Sequence, residues 1–224
     1  MRRIVYKVSE YACICPLPRP AGPQRRKEAG LMIVPEKKDR KIALVVVDVQ
    51  RKFMGNGYTK IRELTEKHLG TINFAIESFR EADRPVIFVE FDGKGECVVY
   101  DADDGDDYVQ GLSFSARDIV VHKKNMNSFK DSRLAEVVKG CGCDCILITG
   151  LVAQFCVMAT YYGAFDYSIT PFMLKDGIIG TDEEKETHCE SIIKLFDRKD
   201  VSDNLANLSI HVPPEIKRRS ECPY

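Results

Sequence analysis

The sequence predicts an α/β fold: a largely parallel sheet covered by helices on both faces. Two observations carry this expectation. The apolar runs IALVVV from residue 42, VIFVEF from 86 and CILITG from 145 are continuous rather than alternating, as in strands buried on both faces. Between them lie segments with apolar residues at helical spacing, and strands and helices that alternate along a chain build βαβ units.

The elements follow in order. The first forty residues, with CPLPRPAGPQRRKEAG at their centre, are rich in Pro, Gly and charge, which is linker chemistry. The compact pattern begins at Lys41 with IALVVVDVQ. A crossover helix follows over about 60 to 82, placing Leu64, Leu69, Ile72, Ala75, Ile76 and Phe79 on one side. Then come a strand over 86 to 91, a polar loop containing DADDGDD, a strand over 118 to 121 and a helix over 131 to 139. A strand over 145 to 150, a helix near 154 to 166, a strand near 169 to 174 and a last helix near 182 to 196 complete the pattern. Pro171 cannot donate to a ladder, so its strand is expected near an edge or at a bulge. The expected organisation is an N-terminal extension or linker over 1–40, one domain over 41–200 and a C-terminal tail over 201–224.

Composition narrows the function classes. Lys+Arg 33 against Asp+Glu 34 gives a net charge of -1, which implies no nucleic-acid and no membrane partner. The N-terminus has basic residues without the apolar run of a signal peptide, and no stretch is long enough to span a bilayer, so a cytoplasmic protein is expected. Its cysteines are then reduced thiols. Cys141, Cys143 and Cys145 alternate more tightly than paired zinc ligands do, and with Cys13, Cys15 and Cys222 they are taken as structural. The loop from Asp101 to Asp107 lacks the ligand spacing of a calcium loop and is taken as solvated.

In an open α/β sheet, chemistry gathers at the carboxyl ends of the strands. Asp48 ends the first apolar run, Lys123 and Lys124 end the third strand, and Cys156 lies just beyond the fourth. Each has an ordinary explanation as turn former, solvated lysine or core thiol. Their combination points further. The segments DVQRKF, HKKNMNSF and GLVAQFCVMAT, in this order and separated by βα units, resemble those of the isochorismatase-like hydrolases. That superfamily includes nicotinamidases and N-carbamoyl amidohydrolases. The resemblance falls on Asp48 with Gln50 and Phe53, on Lys123 with Asn127 and Phe129, and on Gly150, Cys156 and Val157. The position of Phe129 selects Lys123 over Lys124. Thr160, Ala164 and Asp176 stand at the family's spacing too, so the likeness covers about residues 41 to 196.

The resemblance implies a three-layer αβα, Rossmann-like fold and a catalytic triad of Asp48, Lys123 and Cys156. It also implies an oxyanion hole from the N–H groups of Val152 and Cys156, a cis peptide joining Leu151 to Val152, and a homo-oligomer. Gln50, Phe53, Phe129 and Phe155 are candidates for the substrate pocket, and the loop over 92 to 117 for specificity. The residue chemistry agrees: a Cys at a helix start beside an ammonium is expected to have a lowered pKa, with Asp48 exchanging its proton. The implied substrate is a small amide or ureido compound.

Departures refine the picture. The stretch FVEFDGKGECVVYD contains no histidine, where metal-dependent nicotinamidases carry metal-binding histidines, so no metal and no cofactor is expected. His68, His122, His188 and His211 are scattered, which argues against a Cys–His dyad. Ser168 stands where the family usually has Gly after the nucleophile helix. A nicotinamidase without the usual metal site, or a non-catalytic binding protein that retains the fold, are the alternatives.

Overall fold

The computed structural model describes residues 40–55, 59–92 and 107–205. Residues 1–39 of the expected extension, the tail beyond 205, most of the acidic loop, Cys13, Cys15, Cys222 and His211 lie outside these residues. Six strands form one sheet: β1 (Ile42–Val47), β2 (Val86–Phe91), β3 (Ile119–Lys123), β4 (Cys145–Leu151), β5 (Thr170–Ile179) and β6 (Leu195–Phe196). Their order is β3-β2-β1-β4-β5-β6 and every pairing is parallel. The helices are α1 (Thr59–Glu81), α2 (Leu134–Gly140), α3 (Met158–Asp166), α4 (Glu183–Ser191) and α5 (Arg198–Asn204).

The continuity of the first apolar run has the expected cause. Ile42, Leu44 and Val46 face a cluster filled by Ile61, Leu64, Ile72, Ile76 and Phe79 of α1 and Val201 of α5. Ala43, Val45 and Val47 face the other layer, with Leu134 and Val138 of α2 and Tyr161 and Ala164 of α3. A polar residue at either parity of β1 would therefore lose a packing partner, since side chains alternate between the two faces. Arg40 closes the bottom of the sheet, its Nε bonding Asp144 at 2.8 Å and its Nη1 bonding Thr170 at 2.9 Å.

The structure corrects several expected elements. β3 runs on to Lys123, so that lysine is the last strand residue. The strand of Pro171, β5, is by contrast near an edge as expected, second from it. Pro171 fits because Met173 N–H reaches toward the β6 side, to Lys194 O at 2.9 Å, and β6 pairs only with Met173 and Leu174. Strand alternation points the Pro171 nitrogen to that same side, ahead of the β6 pairing, so its missing N–H breaks no ladder. The irregularity comes later: Ile148 pairs with Met173 but Gly150 pairs with Ile178. The last helix expected over 182 to 196 is instead α4 followed by β6, and a further helix, α5, comes after it. Phe196 turns inward onto Phe172, ring centroids 4.3 Å apart. Asp197 and Asp200 then form a reciprocal capping box that starts α5, and α5 continues across position 200.

Ser168 ends α3 in a left-handed conformation, φ 58. Its N–H bonds Phe165 O and that of Ile169 bonds Ala164 O, each at 3.1 Å, which is the paired closure of a Schellman motif. A β-carbon at this φ costs about 1 kcal/mol that glycine avoids. Ser168→Gly is therefore expected to raise the thermal midpoint by roughly 2–4 °C. A midpoint that stays put or falls would show that the cap is not strained.

Candidate active site

At the middle of the sheet the chain turns one way from β1 and the other way from β4. In a sheet of this order that divide is a crevice at the carboxyl ends of the strands. β1 and β4 approach closely there: Gly150 has φ 110, and a β-carbon on it would run into the Val47 carbonyl. Only glycine fits this position. Asp48 follows Val47 with φ 53, a conformation Asp tolerates better than most residues, while its N–H stays bonded to Val89 O at 2.9 Å.

Lys123 reaches Asp48 from β3, two strands away. Neighbouring strands lie roughly 4.8 Å apart, a gap that suits a four-carbon stem. Its Nζ lies 2.7 Å from Asp48 Oδ2 with both side chains at most 1% exposed, and it also donates to Met126 O at 3.2 Å. The contact with Asp48 is a buried ion pair at hydrogen-bond distance.

Cys156 arrives from the opposite side of the divide. The peptide bond joining Leu151 to Val152 is cis, and Ala153–Val157 forms a π turn that leads into α3. The Val152 carbonyl accepts from Phe155 N–H at 2.9 Å and Val157 N–H at 3.3 Å, stepping over the Cys156 N–H between them. The thiol is buried and interacts with both Asp48 and Lys123. Asp48, Lys123 and Cys156 thus meet in one place.

The charges of this group are set by burial. Desolvation raises the Asp48 carboxyl above its usual range, against the pull of Lys123. Burial alone would lower Lys123, but Asp48 and Cys156 together outweigh it and raise the ammonium. The Cys156 thiol is pushed up to about 12, first by burial and then by Asp48, with Lys123 opposing. This corrects the expectation of a lowered thiol pKa. The helix start and one ammonium do not offset burial in a pocket that already holds a carboxylate. The thiol therefore rests protonated, and activation requires a proton transfer within the group.

The loop after β3 is fastened to α3. Thr160 Oγ1 donates to Ser128 Oγ at 2.7 Å and accepts from Ser128 N–H at 3.1 Å. Asn127 lies against Gly163, where a β-carbon would collide with it, and its Oδ1 accepts from Phe129 N–H at 2.9 Å. These contacts explain why Asn, Ser and Phe follow Lys123 at their spacing: they set the loop whose Met126 carbonyl holds the ammonium. The other candidates lie around this centre. Gln50 is buried and accepts from Phe91 N–H at 2.8 Å. Phe53 and Phe129 are core residues, against Phe91 and Tyr167 respectively, and Phe155 is 37% exposed. His122 faces outward to Glu90, and His68 is buried between Asp176 O and Glu186. Among the described residues no group of His, Cys, Asp and Glu is placed to hold a metal ion. Cys143 and Cys145, free thiols at the opposite end of β4, are held by burial at about 11 and 12.

Lys52 and Phe91 are close to the site and escaped the sequence reading. Lys52 stands within DVQRKF, but nothing in the sequence marks a lysine as buried, and lysines are mostly exposed.

Comparison with known proteins gives the geometry a context. The family model described as the isochorismatase domain matches residues 42–198. No curated protein matches the chain. Among solved structures, N-carbamoylsarcosine amidase from Thermoplasma acidophilum is 24% identical, with a TM-score of 0.60, over 70% of this chain and 96% of that one. A cysteine hydrolase from Pseudomonas syringae pv. phaseolicola is 17% identical, with a TM-score of 0.62, over 74% and 92%. A zinc complex of pyrazinamidase from Pyrococcus horikoshii is 22% identical, with a TM-score of 0.57, over 70% and 99%. At these identities the solved structures establish a shared fold.

Proposed function

Because the chain belongs to the isochorismatase family, we propose that it is a cysteine hydrolase that cleaves a C–N bond in a small amide or N-carbamoyl compound. The observation that carries this reading is the meeting of one buried thiol, one buried carboxylate and one buried ammonium at the divide of the sheet. In this reading Asp48 takes the thiol proton as Cys156 Sγ bonds to the substrate carbonyl carbon. The negative charge moves from carboxylate to sulfur, and Lys123 interacts with both, so the step does not strand a charge in the buried pocket. The N–H groups of Val152 and Cys156 receive the developing oxyanion, supported by the Val152 carbonyl stepping over the Cys156 N–H. Asp48 then returns the proton to the departing nitrogen as the C–N bond breaks. Water, deprotonated by the same carboxylate, bonds to the carbonyl carbon as the C–S bond breaks, and Asp48 passes that proton to the departing Cys156 sulfur, which frees the acid and restores the thiol.

The expectation of a homo-oligomer belongs to this reading, supported by the exposed Phe155, Tyr162 and Phe165 on the segment that carries Cys156. Among the described residues no helix is long and apolar enough to cross a membrane.

The test is ammonia release from a panel of small amides and ureido acids, followed from pH 4 to 10. At least one member should turn over, and a chelator should leave its rate unchanged. Because Asp48 must be ionised to accept the proton and its carboxyl is raised, kcat/KM should fall on acidification with a midpoint above the usual carboxylate value of about 4. Lys123 is raised as well, so its titration should cause no loss below about pH 10. A rate lost to chelation and restored by zinc or iron would refute the metal-free reading.

A further inference from the structure

The chemistry above uses three buried polar groups and leaves out a fourth, Lys52. It lies on the 3-10 turn Arg51–Met54, four residues after Asp48, and is 2% exposed. Removing an ammonium from water costs several kcal/mol, roughly, unless other groups take over its solvation, so this position requires a reason.

That reason is found in what Lys52 touches. Its Nζ donates to the main-chain oxygen of Phe91 and lies 5.8 Å from the centroid of that ring. The Phe91 N–H is taken by Gln50 Oε1 at 2.8 Å, and its ring meets Phe53 edge-on at 6.0 Å. Gln50, Lys52 and Phe53 all belong to the short segment that opens with Asp48, so this segment clamps Phe91 at its N–H, its carbonyl and its ring. Phe91 is in turn the β2 neighbour of Lys123 in the sheet register. The Lys123 Nζ lies 5.9 Å from the same ring centroid, within the range of a cation–π contact. The charged and titratable groups that act on Asp48 are Lys123 from β3, Cys156 from the π turn and Lys52 from the 3-10 turn.

We propose that Lys52 is a positioning residue for the Asp48–Lys123 pair: through Phe91 it fixes the seat of the Lys123 ammonium, and its own charge helps keep the Asp48 carboxylate ionised. A single ammonium meets one flank of a carboxylate buried from bulk solvent, and a second nearby cation supplies part of what bulk water would give. The direction agrees with the pull of Lys52 on Asp48, which is downward and weaker than that of Lys123. The catalytic consequence rests on the hydrolase reading; the electrostatic one does not.

The test is a ¹³C carboxyl titration of Asp48, assigned with Asp48→Asn, in wild type, Lys52→Met, Lys52→Gln and Lys52→Arg full-length protein. The two neutral variants should raise the Asp48 midpoint by about one pH unit, a tenfold gain in proton affinity, while Lys52→Arg should stay within about a third of a unit. On any substrate found, kcat/KM of Lys52→Met should drop about tenfold below its acid limb, and that limb should move upward with the Asp48 midpoint. Neutral variants that titrate Asp48 as wild type does would overturn the proposal. So would Lys52→Arg shifting as far as Lys52→Met, because the effect would then come from packing rather than charge. Two neutral substitutes guard against one failing to fold. The titration requires no turnover, so silence of every protein on every substrate would count against the hydrolase reading while the Asp48 midpoint still decides this one.

Discussion

Cys156→Ala is expected to remove ammonia release by at least about a thousandfold while the protein melts within a few degrees of wild type. The thiol is buried among Ala153, Val157 and Tyr161, and replacing sulfur with hydrogen leaves only a small void, so the stability loss should be near 1 kcal/mol. Loss of the nucleophile has no comparable remedy. Alanine offers no atom to bond the carbonyl carbon, and Asp48 would have to activate water in a pocket shaped for sulfur. The control is alkylation of wild type by iodoacetamide at pH 7, with the modified peptide read by mass spectrometry. A thiol pushed up to about 12 is nearly all protonated at that pH, so rapid alkylation of Cys156 would require proton transfer to Asp48 and should slow sharply in Asp48→Asn. Turnover retained by Cys156→Ala would end the assignment of the nucleophile. An unreactive Cys156 together with no turnover on any substrate would favour a protein that kept the fold for binding alone.

The parts of this molecule that could be read from sequence are those where each residue carries its own signal. Ile42 through Val47 must be buried on both faces because no parity of the run is polar, and from that follow the parallel sheet and its two helical layers. Asp48, Lys123 and Cys156 each end or follow a strand, but what singled them out was the resemblance of DVQRKF, HKKNMNSF and GLVAQFCVMAT to segments of the isochorismatase-like hydrolases. What escaped the sequence depends on partners distant along the chain. Leu195 and Phe196 follow an apolar helix end and look like its continuation; only pairing with Met173 and Leu174 makes them a strand. The D-x-x-D start of α5 is a weaker signal than the S/T-x-x-E pattern, and it went unread. The sign of the Cys156 shift is not legible in the sequence, because a helix start beside a lysine favours the thiolate locally while the desolvation that outweighs it comes only from the folded pocket. Lys52 was hidden for the same reason: its burial is a property of Phe91 and the sheet, not of its neighbours in sequence.

Lys123→Met should show the largest effect on stability. The substitution keeps an unbranched stem of similar length and removes only the charge, leaving Asp48 in a buried pocket beside Cys156 with one cation fewer. Breaking a buried ion pair from one side costs about 3–5 kcal/mol, which for a chain of this size is a fall in thermal midpoint of roughly 6–20 °C. The loss should also depend on pH in a fixed direction. The Asp48 carboxyl is already raised in the folded state, and without Lys123 it rises further. A carboxyl whose folded pKa exceeds its unfolded one destabilises the fold once ionised, and that penalty vanishes when pH falls below the unfolded value, about 3.9. The gap in midpoint between wild type and Lys123→Met should therefore be wide at pH 8 and narrow at pH 5. Adding Asp48→Asn to Lys123→Met removes the stranded charge and should recover part of the stability at pH 8, but no activity, because the proton acceptor is gone. A gap that is the same at both pH values would mean that the loss comes from packing around the lysine stem, and that the Asp48–Lys123 contact carries little charge interaction.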